Sequence, residues 1–236
     1  MAYNKIIPEK RGNIAKITLN HAEALNALDG ELISEMGEAV ADIERDGSMR
    51  VVIITGAGRA FCAGADLKYM KGLLDDPEKV LEYLRLVQRV LNSVENLSKP
   101  VIAAVNGFAL AGGLELVMAC DLAIASETAR LGDQHINFGL IPGGGGSQRL
   151  PRLVGLRKGR ELLLTGKWLS ASEAEKLGLV NQVVPADKLE EAANEMASQI
   201  AQKSPIASRT VKSLVNRGMQ VDITSAIELE AIACAR

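Results

Sequence analysis

The chain predicts an α/β protein with a largely parallel sheet and a helical layer at its end. Short β-branched runs alternate with amphipathic helical patterns over 1–185, and from Ala186 onward only helical patterns remain. At 236 residues, 47% apolar and 24% charged, the chain is long and apolar enough to bury a real core and is not composed like a disordered one.

The elements follow in order. "IAKITL" (Ile14 to Leu19) reads as a strand, and "ELISEMGEAVADIE" puts Leu32, Met36, Ala39, Val40 and Ile43 on one helical face. "RVVIIT" (Arg50 to Thr55) is a short apolar run of the kind buried on both faces of a parallel sheet, which completes a βαβ unit. Asp76 and Pro77 supply the cap and first turn of a second helix with Val80, Leu84, Val87, Leu91 and Val94 as its stripe, and "PVIAAVNG" repeats the strand. Beyond 150, "SEAEKLG" offers a capping box from Ser172 to Glu175, "LVNQVVP" is one more strand, and three helical patterns run from Ala186 to the end. No flexible linker divides the chain, so a core over 1–185 and a helical region over 186–236 are expected to form one body.

Composition excludes several functions. With 27 basic and 29 acidic residues, the formal charge of −2 argues against a dedicated nucleic-acid or anionic-membrane surface. Cys62, Cys120 and Cys234 are widely spaced and form no CxxC pair, so no disulfide framework, zinc site or other metal site is expected, and a reducing compartment fits. The N-terminal stretch carries no targeting pattern and no apolar run is long enough to span a bilayer; the expectation is a soluble cytoplasmic protein with no membrane partner.

Three glycine-bearing loops follow strands. In "TGAGRAFCAGADLKYM", Gly56 and Gly58 imitate a dinucleotide fingerprint, but Phe61 stands where its third glycine belongs. "GLIPGGGGS" imitates a phosphate loop, but Gly146 stands where the lysine before Ser147 is required. "NGFALAGGLELVMAC" carries more chemistry. Gly112 and Gly113 let a ligand approach the backbone, and a helix starting there turns unpaired N–H groups toward a developing oxyanion. Glu115 falls in that helix's first turn among Leu114, Leu116, Val117 and Met118, where a buried carboxylate calls for a reason such as proton transfer. His135, one of two histidines, sits in "RLGDQHINFGLIPGGGG".

"ITLNHAEALNAL", "GAGRAFCAGADLKYM", "VNGFALAGGLELVMACDLAIA", "FGLIPGGGGSQRLPRLVG" and "LLLTGKWLSASEAEKLGLVNQVVP" occur in an order that closely resembles the crotonase, or enoyl-CoA hydratase/isomerase, superfamily. The resemblance implies a spiral of ββα units with a C-terminal helical layer, an acyl-CoA thioester as ligand, no cofactor beyond the CoA of the substrate, and trimers that pair into hexamers. Carried over position by position, it implies that Ala63 and Gly112 donate N–H groups to the thioester oxygen. The same comparison lays Ala63, Gly64, Ala65, Asp66 and Leu67 along the CoA, makes Glu115 the first catalytic glutamate, and gives Gly143 a role in holding the water. Relatives continue past "ELEAIACAR", so 186–236 is expected to be short relative to the family.

His135 departs from the pattern, because the hydratases have their second acid/base glutamate there. An imidazole can also exchange protons, so the leading expectation is hydration of a 2-enoyl-CoA by Glu115 and His135. The alternatives are a one-carboxylate isomerase, a C–C-cleaving relative, or a non-catalytic member that binds acyl-CoA or RNA through "RLPRLVGLRKGR". The plain alternative for His135 is a loop histidine bonded to Asp133 or a backbone carbonyl. His21 is expected to be a surface residue, Cys62 an apolar filler, Trp168 to pack under the helical layer, and Asp66 to fix its loop or sit near CoA.

Overall fold

A computed structural model describes residues 3–235. Strands β1 (Ile6–Arg11) and β2 (Ile14–Leu19) pair antiparallel, and helix α1 (Gly30–Arg45) leads to β3 (Val51–Gly56) and β4 (Ala60–Cys62). Helices α2 (Leu67–Lys71) and α3 (Pro77–Glu95) follow, then β5 (Val101–Val105), β6 (Phe108–Leu110) and α4 (Gly112–Ala119). A third strand pair, β7 (Leu122–Ser126) and β8 (Arg130–Gly132), runs into the 3₁₀ turn His135–Phe138. Next come α5 (Gly146–Val154), α6 (Leu156–Thr165), β9 (Leu169–Ser170), α7 (Ala171–Lys176) and β10 (Gln182–Val184), and the chain closes with α8 (Leu189–Ala201), α9 (Pro205–Gly218) and α10 (Ile223–Cys234).

After β1 and β2, each of the strand pairs β3/β4, β5/β6 and β7/β8 contributes one strand to each of two sheets. The larger has the order β1-β2-β3-β5-β7-β10, the smaller β4-β6-β8-β9, and within each the successive β3/β5/β7 and β4/β6/β8 strands are parallel. Parallel neighbours require the chain to return along a crossover, which the intervening helices supply, so two strands and a helix make one turn of a spiral. The expected apolar strands are the central ones of the larger sheet; β5 is buried at every position.

The helical stripes bury as read, with one drift. Leu32, Met36, Ala39, Val40 and Ile43 of α1 are all buried behind the Asp29 cap, whose Oδ1 accepts the Leu32 N–H. On α3 the buried set is Tyr83, Val87, Val90, Leu91 and Val94, while Val80 and Leu84 are half-buried. The capping box of α7 lies two residues earlier than expected: Ser170 and Glu173 exchange the bonds, not Ser172 and Glu175. The i, i+3 Ser/Glu spacing occurs twice in "SASEAE", and Ser170 is the serine whose extended backbone, set by the β9 pairing to β8, can open a helix.

The helices after 186 do not stand apart. Leu189, Ala193 and Ala197 of α8 cover the outer face of the larger sheet against Val51, Ile53, Ile102 and Ile124. Lys212 of α9 is tied back through its Nζ to Asp121 Oδ2 (2.6 Å) and to the Lys99 carbonyl (3.1 Å). Among the described residues no helix is long and apolar enough to cross a membrane.

The Lys212 tie makes a stability prediction. Its ammonium side chain is 7% exposed and the Asp121 carboxylate 21%, so the pair lies between a surface bridge, worth ~1 kcal/mol or less, and a fully buried one, whose breakage costs ~3–5 kcal/mol. Lys212→Ala is expected to cost about 2 kcal/mol in urea unfolding, and no loss would show that α9 docks by apolar contact alone.

Candidate active site

Glu115 is 2% exposed at the start of α4, and its carboxylate is held by the loop that precedes α5. Oε1 accepts the N–H of Gly144 (2.8 Å) and of Gly146 (2.7 Å). The approach requires glycine: a Cβ on Gly144 would lie 2.6 Å from Glu115 Oε2, and one on Gly146 3.0 Å from Oε1. The run "GGGG" is therefore a carboxylate cradle, which accounts for its likeness to a phosphate loop. Gln88 Nε2 donates to the Gly143 carbonyl (2.7 Å), and Arg149, paired with Glu95, donates to that of Gly144 (2.7 Å), so α3 and α5 fix the loop from behind. Burial pushes the Glu115 carboxyl above the usual carboxylate range; the Gly146 and Gly144 N–H groups and the charge of His135 oppose that, and Asp133 adds to it.

His135 opens the 3₁₀ turn after β8 and faces a cavity of about 440 Å³, a size suited to a small-molecule ligand. Ala65, Asp66 and Ala111 line it from one side, Phe138, Leu140 and Trp168 from the other. The His135 Nδ1 lies 2.9 Å from Asp133 Oδ1, the contact that the plain reading of a loop histidine anticipates. The loop nevertheless puts the ring within electrostatic reach of Glu115. Burial alone would lower the imidazole's affinity for a proton, but the Asp133 hydrogen bond and charge, helped by Glu115, raise it above the ordinary histidine value.

The oxyanion donors need one correction. Ala63 lines the cavity, but its N–H is spent on the Leu25 carbonyl at 3.0 Å, because the segment after β4 runs beside the turn at 25–28. Two residues on, the Ala65 N–H donates to no acceptor among the described residues, while its neighbours are paired through Leu28 N to Gly64 O and Asp66 N to Leu28 O. Gly112 stands first in α4, where N–H groups lack an intrahelical acceptor, and a Cβ there would lie 3.6 Å from the Ala65 nitrogen. The free donors that converge are thus Ala65 and Gly112. Ala111, which aims the second of them, holds the strained φ 48°, ψ −116°. Gly113 carries the helix past β4, where any Cβ would come within 2.0 Å of the Cys62 carbonyl.

The remaining residues sort readily. Asp66 caps α2, its Oδ1 accepting the Tyr69 N–H (2.8 Å), and lines the cavity together with the exposed Leu67. Gly64, buried between Ala111 and Gly112, is part of the wall that sets the donors rather than of the cavity surface. The Gly143 N–H has no partner among the described residues. Cys62 is fully buried and its thiol is pushed up to about 12, which suits a filler and not a nucleophile. His21 lies close to Glu23 (Nε2 to Oε1 3.4 Å) and is more enclosed than a surface role implies, with its side chain 18% exposed. Trp168 does not pack under the helical layer: it stands edge-on to Phe108 (5.8 Å between centroids), half exposed at the cavity mouth. In "RLPRLVGLRKGR", Arg149 is paired with Glu95 and Lys158 with Glu161. Among the described residues no three His, Cys, Asp or Glu side chains are grouped to hold a metal.

Sequence reasoning named Asp133 only as a partner of His135 in the plain reading of a loop histidine, and missed Gly144 and Gly146 as the partners of Glu115. The two glycines could not be singled out, since any of the four N–H groups fits the pattern.

A buried carboxylate and an imidazole beside two converging N–H donors are the kinds of group that enolate stabilisation and proton transfer call for. The family model that matches residues 9–234 is that of enoyl-CoA hydratase/isomerase. The chain is 43% identical to a short-chain-enoyl-CoA hydratase of Clostridium acetobutylicum over 99% of its own length and 89% of that protein's. It is 42% identical to a crotonyl-CoA hydratase of Syntrophomonas wolfei at the same coverages. The crystal structure of an enoyl-CoA hydratase from Bacillus anthracis superposes with a TM-score of 0.95 at 43% identity, over 98% of this chain and 90% of that one. The chain belongs to the enoyl-CoA hydratase/isomerase family and has the crotonase fold.

The cradle predicts that Gly144→Ala, which pushes Cβ into the Glu115 carboxylate and Leu91, lowers kcat at least tenfold while circular dichroism stays unchanged. A fully active Gly144→Ala protein would mean that the Glu115 position tolerates displacement.

Proposed function

We propose that the protein is an enoyl-CoA hydratase that adds water across a short 2-enoyl thioester. The observation that carries this reading is the buried Glu115 carboxylate held by two N–H groups beside His135, a second proton carrier of opposite charge type. Names of relatives support it: those at 42–43% identity are a short-chain-enoyl-CoA hydratase and a crotonyl-CoA hydratase.

The thioester oxygen sits between the Ala65 and Gly112 N–H groups, and CoA runs along 63–67. Glu115, its anion stabilised by the loop, takes a proton from water held near the Gly143 N–H as the water oxygen bonds to the β-carbon. Electrons of the double bond move to the thioester, and the negative charge on its oxygen is met by the two donors; one such donor is worth about 2.7–4 kcal/mol of barrier. The α-carbon then takes a proton from the His135 Nε2. Return of the proton from Glu115 to the imidazole resets the site, so water is added with no cofactor.

The assembly proposed with this reading is a trimer or a hexamer. Ile206 and Val215 of α9, Met219 at its C-cap, and Ile223 and Ile227 of α10 are 58–77% exposed, more apolar area on two adjoining helices than a free surface commonly shows. A cytoplasmic location suits the three free cysteines.

Crotonyl-CoA hydration, followed by loss of enoyl absorbance and by product mass, tests the reading directly. Glu115→Gln is expected to lower kcat by about 100-fold or more and to leave the thermal stabilisation by acyl-CoA intact, because it keeps shape and removes the base. His135→Ala should cost a similar factor. Absence of a melting shift with any acyl-CoA would remove the ligand assignment; an active His135→Ala protein would leave Glu115 working alone, as in an isomerase.

A further inference from the structure

Asp133 is 1% exposed, directly after β8, and has one titratable partner within hydrogen-bond reach. Its Oδ1 receives the His135 Nδ1–H at 2.9 Å and, at 3.4 Å, the His135 backbone N–H. Its Oδ2 is buried without a hydrogen-bond partner among the described residues. A buried carboxylate so poorly supplied with donors is costly unless a cation lies against it, and the His135 ring is the cation within reach. The same orphan oxygen and the Glu115 Oε1 each come within 3.0 Å of the point where a Gly146 Cβ would stand, so the two carboxylates border one glycine.

We propose that Asp133 is a positioning residue for His135: it holds the ring by Nδ1, leaves Nε2 to the cavity, and supplies the countercharge of the imidazolium. The inference rests on the hydratase reading for its catalytic meaning, but not for its geometry. With one carboxylate tied to the imidazole, the site carries one base, Glu115, and one acid, His135, the proton count that water addition needs. The Nδ1 contact also chooses which ring nitrogen faces the substrate, as a carboxylate partner does for any histidine that must use the other nitrogen.

Two charged groups act on the ring: Asp133 precedes it and Glu115 approaches from α4. Asp66 lines the same cavity with its Oδ1 engaged as the α2 cap. On α6, which packs on the same turn, Lys158 and Glu161 pair with each other at the surface. The imidazole's folded value is raised, so it stays protonated through the ordinary histidine range and loses its proton only as pH rises through the higher value. The alkaline limb of kcat/KM should follow that loss.

The test is Asp133→Asn, which keeps the shape and removes the charge. With two histidines in the chain, NMR titration resolves His135 once His21→Gln has assigned the other signal. In the wild type the His135 midpoint is expected above 6.5. In Asp133→Asn it should fall by about 1–3 pH units, kcat on crotonyl-CoA should drop about tenfold or more with KM little changed, and the alkaline limb should move to lower pH by the same amount. In a His135→Glu background, where no imidazole is left to hold, Asp133→Asn should cost nothing; an equal loss in both backgrounds would mark a merely structural residue and overturn the inference. An unmoved midpoint in folded Asp133→Asn also overturns it, whether or not any thioester is turned over. A moved midpoint in a protein that hydrates no enoyl-CoA keeps Asp133 as the holder of the ring and removes the hydratase reading. If Asp133→Asn does not fold, a wild-type midpoint at or below 6.5 overturns it.

Discussion

A carboxylate that is 2% exposed must be met by donors or be given up, and much of the molecule is arranged so that Glu115 can be met. Its two donors come from a loop nearly thirty residues further on. Bringing that loop to α4 requires α3 beneath it, Gln88 and Arg149 on its carbonyls, and Leu91 against its glycines. The spiral makes this feasible because each turn returns the chain to the same edge. The corner after β4, the start of α4 and the turn after β8 therefore stack at one end, where a single cavity touches all three.

Backbone groups do most of the work there. The Ala65 and Gly112 donors, the Gly144 and Gly146 donors and the Gly143 N–H belong to residues with little or no side chain. The small residues are needed because chain segments nearly touch: Gly113 passes β4 with no room for a Cβ, and Gly64 is wedged against Ala111 and Gly112. Preorganisation of this kind puts the cost of orienting dipoles into folding, where it is met by the buried core of α1, α3, α4 and the sheets, and leaves little to reorganise during reaction.

Two carboxylates and one imidazole share this end of the spiral, and their spacing sets their charges. Glu115 has two N–H donors that oppose the effect of burial on its carboxyl; Asp133 has few donors and lies against His135. A second glutamate in place of the imidazole would put three acidic groups at this end of the spiral. A histidine at 135 and an aspartate at 133 are thus mutually consistent, each suiting the other's burial.

The sequence alone determined the alternation of strands and helices, the stripe of α1, the cap at Asp76, the order of motifs that resembles a known family, and the candidacy of Glu115 and His135. These are local properties or direct matches, and hydrophobic period and cap chemistry act within a few residues. The smaller sheet escaped because its strands are two or three residues long and have no period to show. The choice of Ser170 over Ser172 was decided by pairing to β8. Only the tertiary structure decided that Ala65 and not Ala63 keeps a free N–H, that Gly144 and Gly146 hold Glu115, and that Asp133 borders the same glycine as Glu115. The first two depend on which hydrogen bond a distant segment has already taken: Leu25 claims one donor and Glu115 two others, and no reading of neighbours along the chain shows which groups remain free once it has closed on itself.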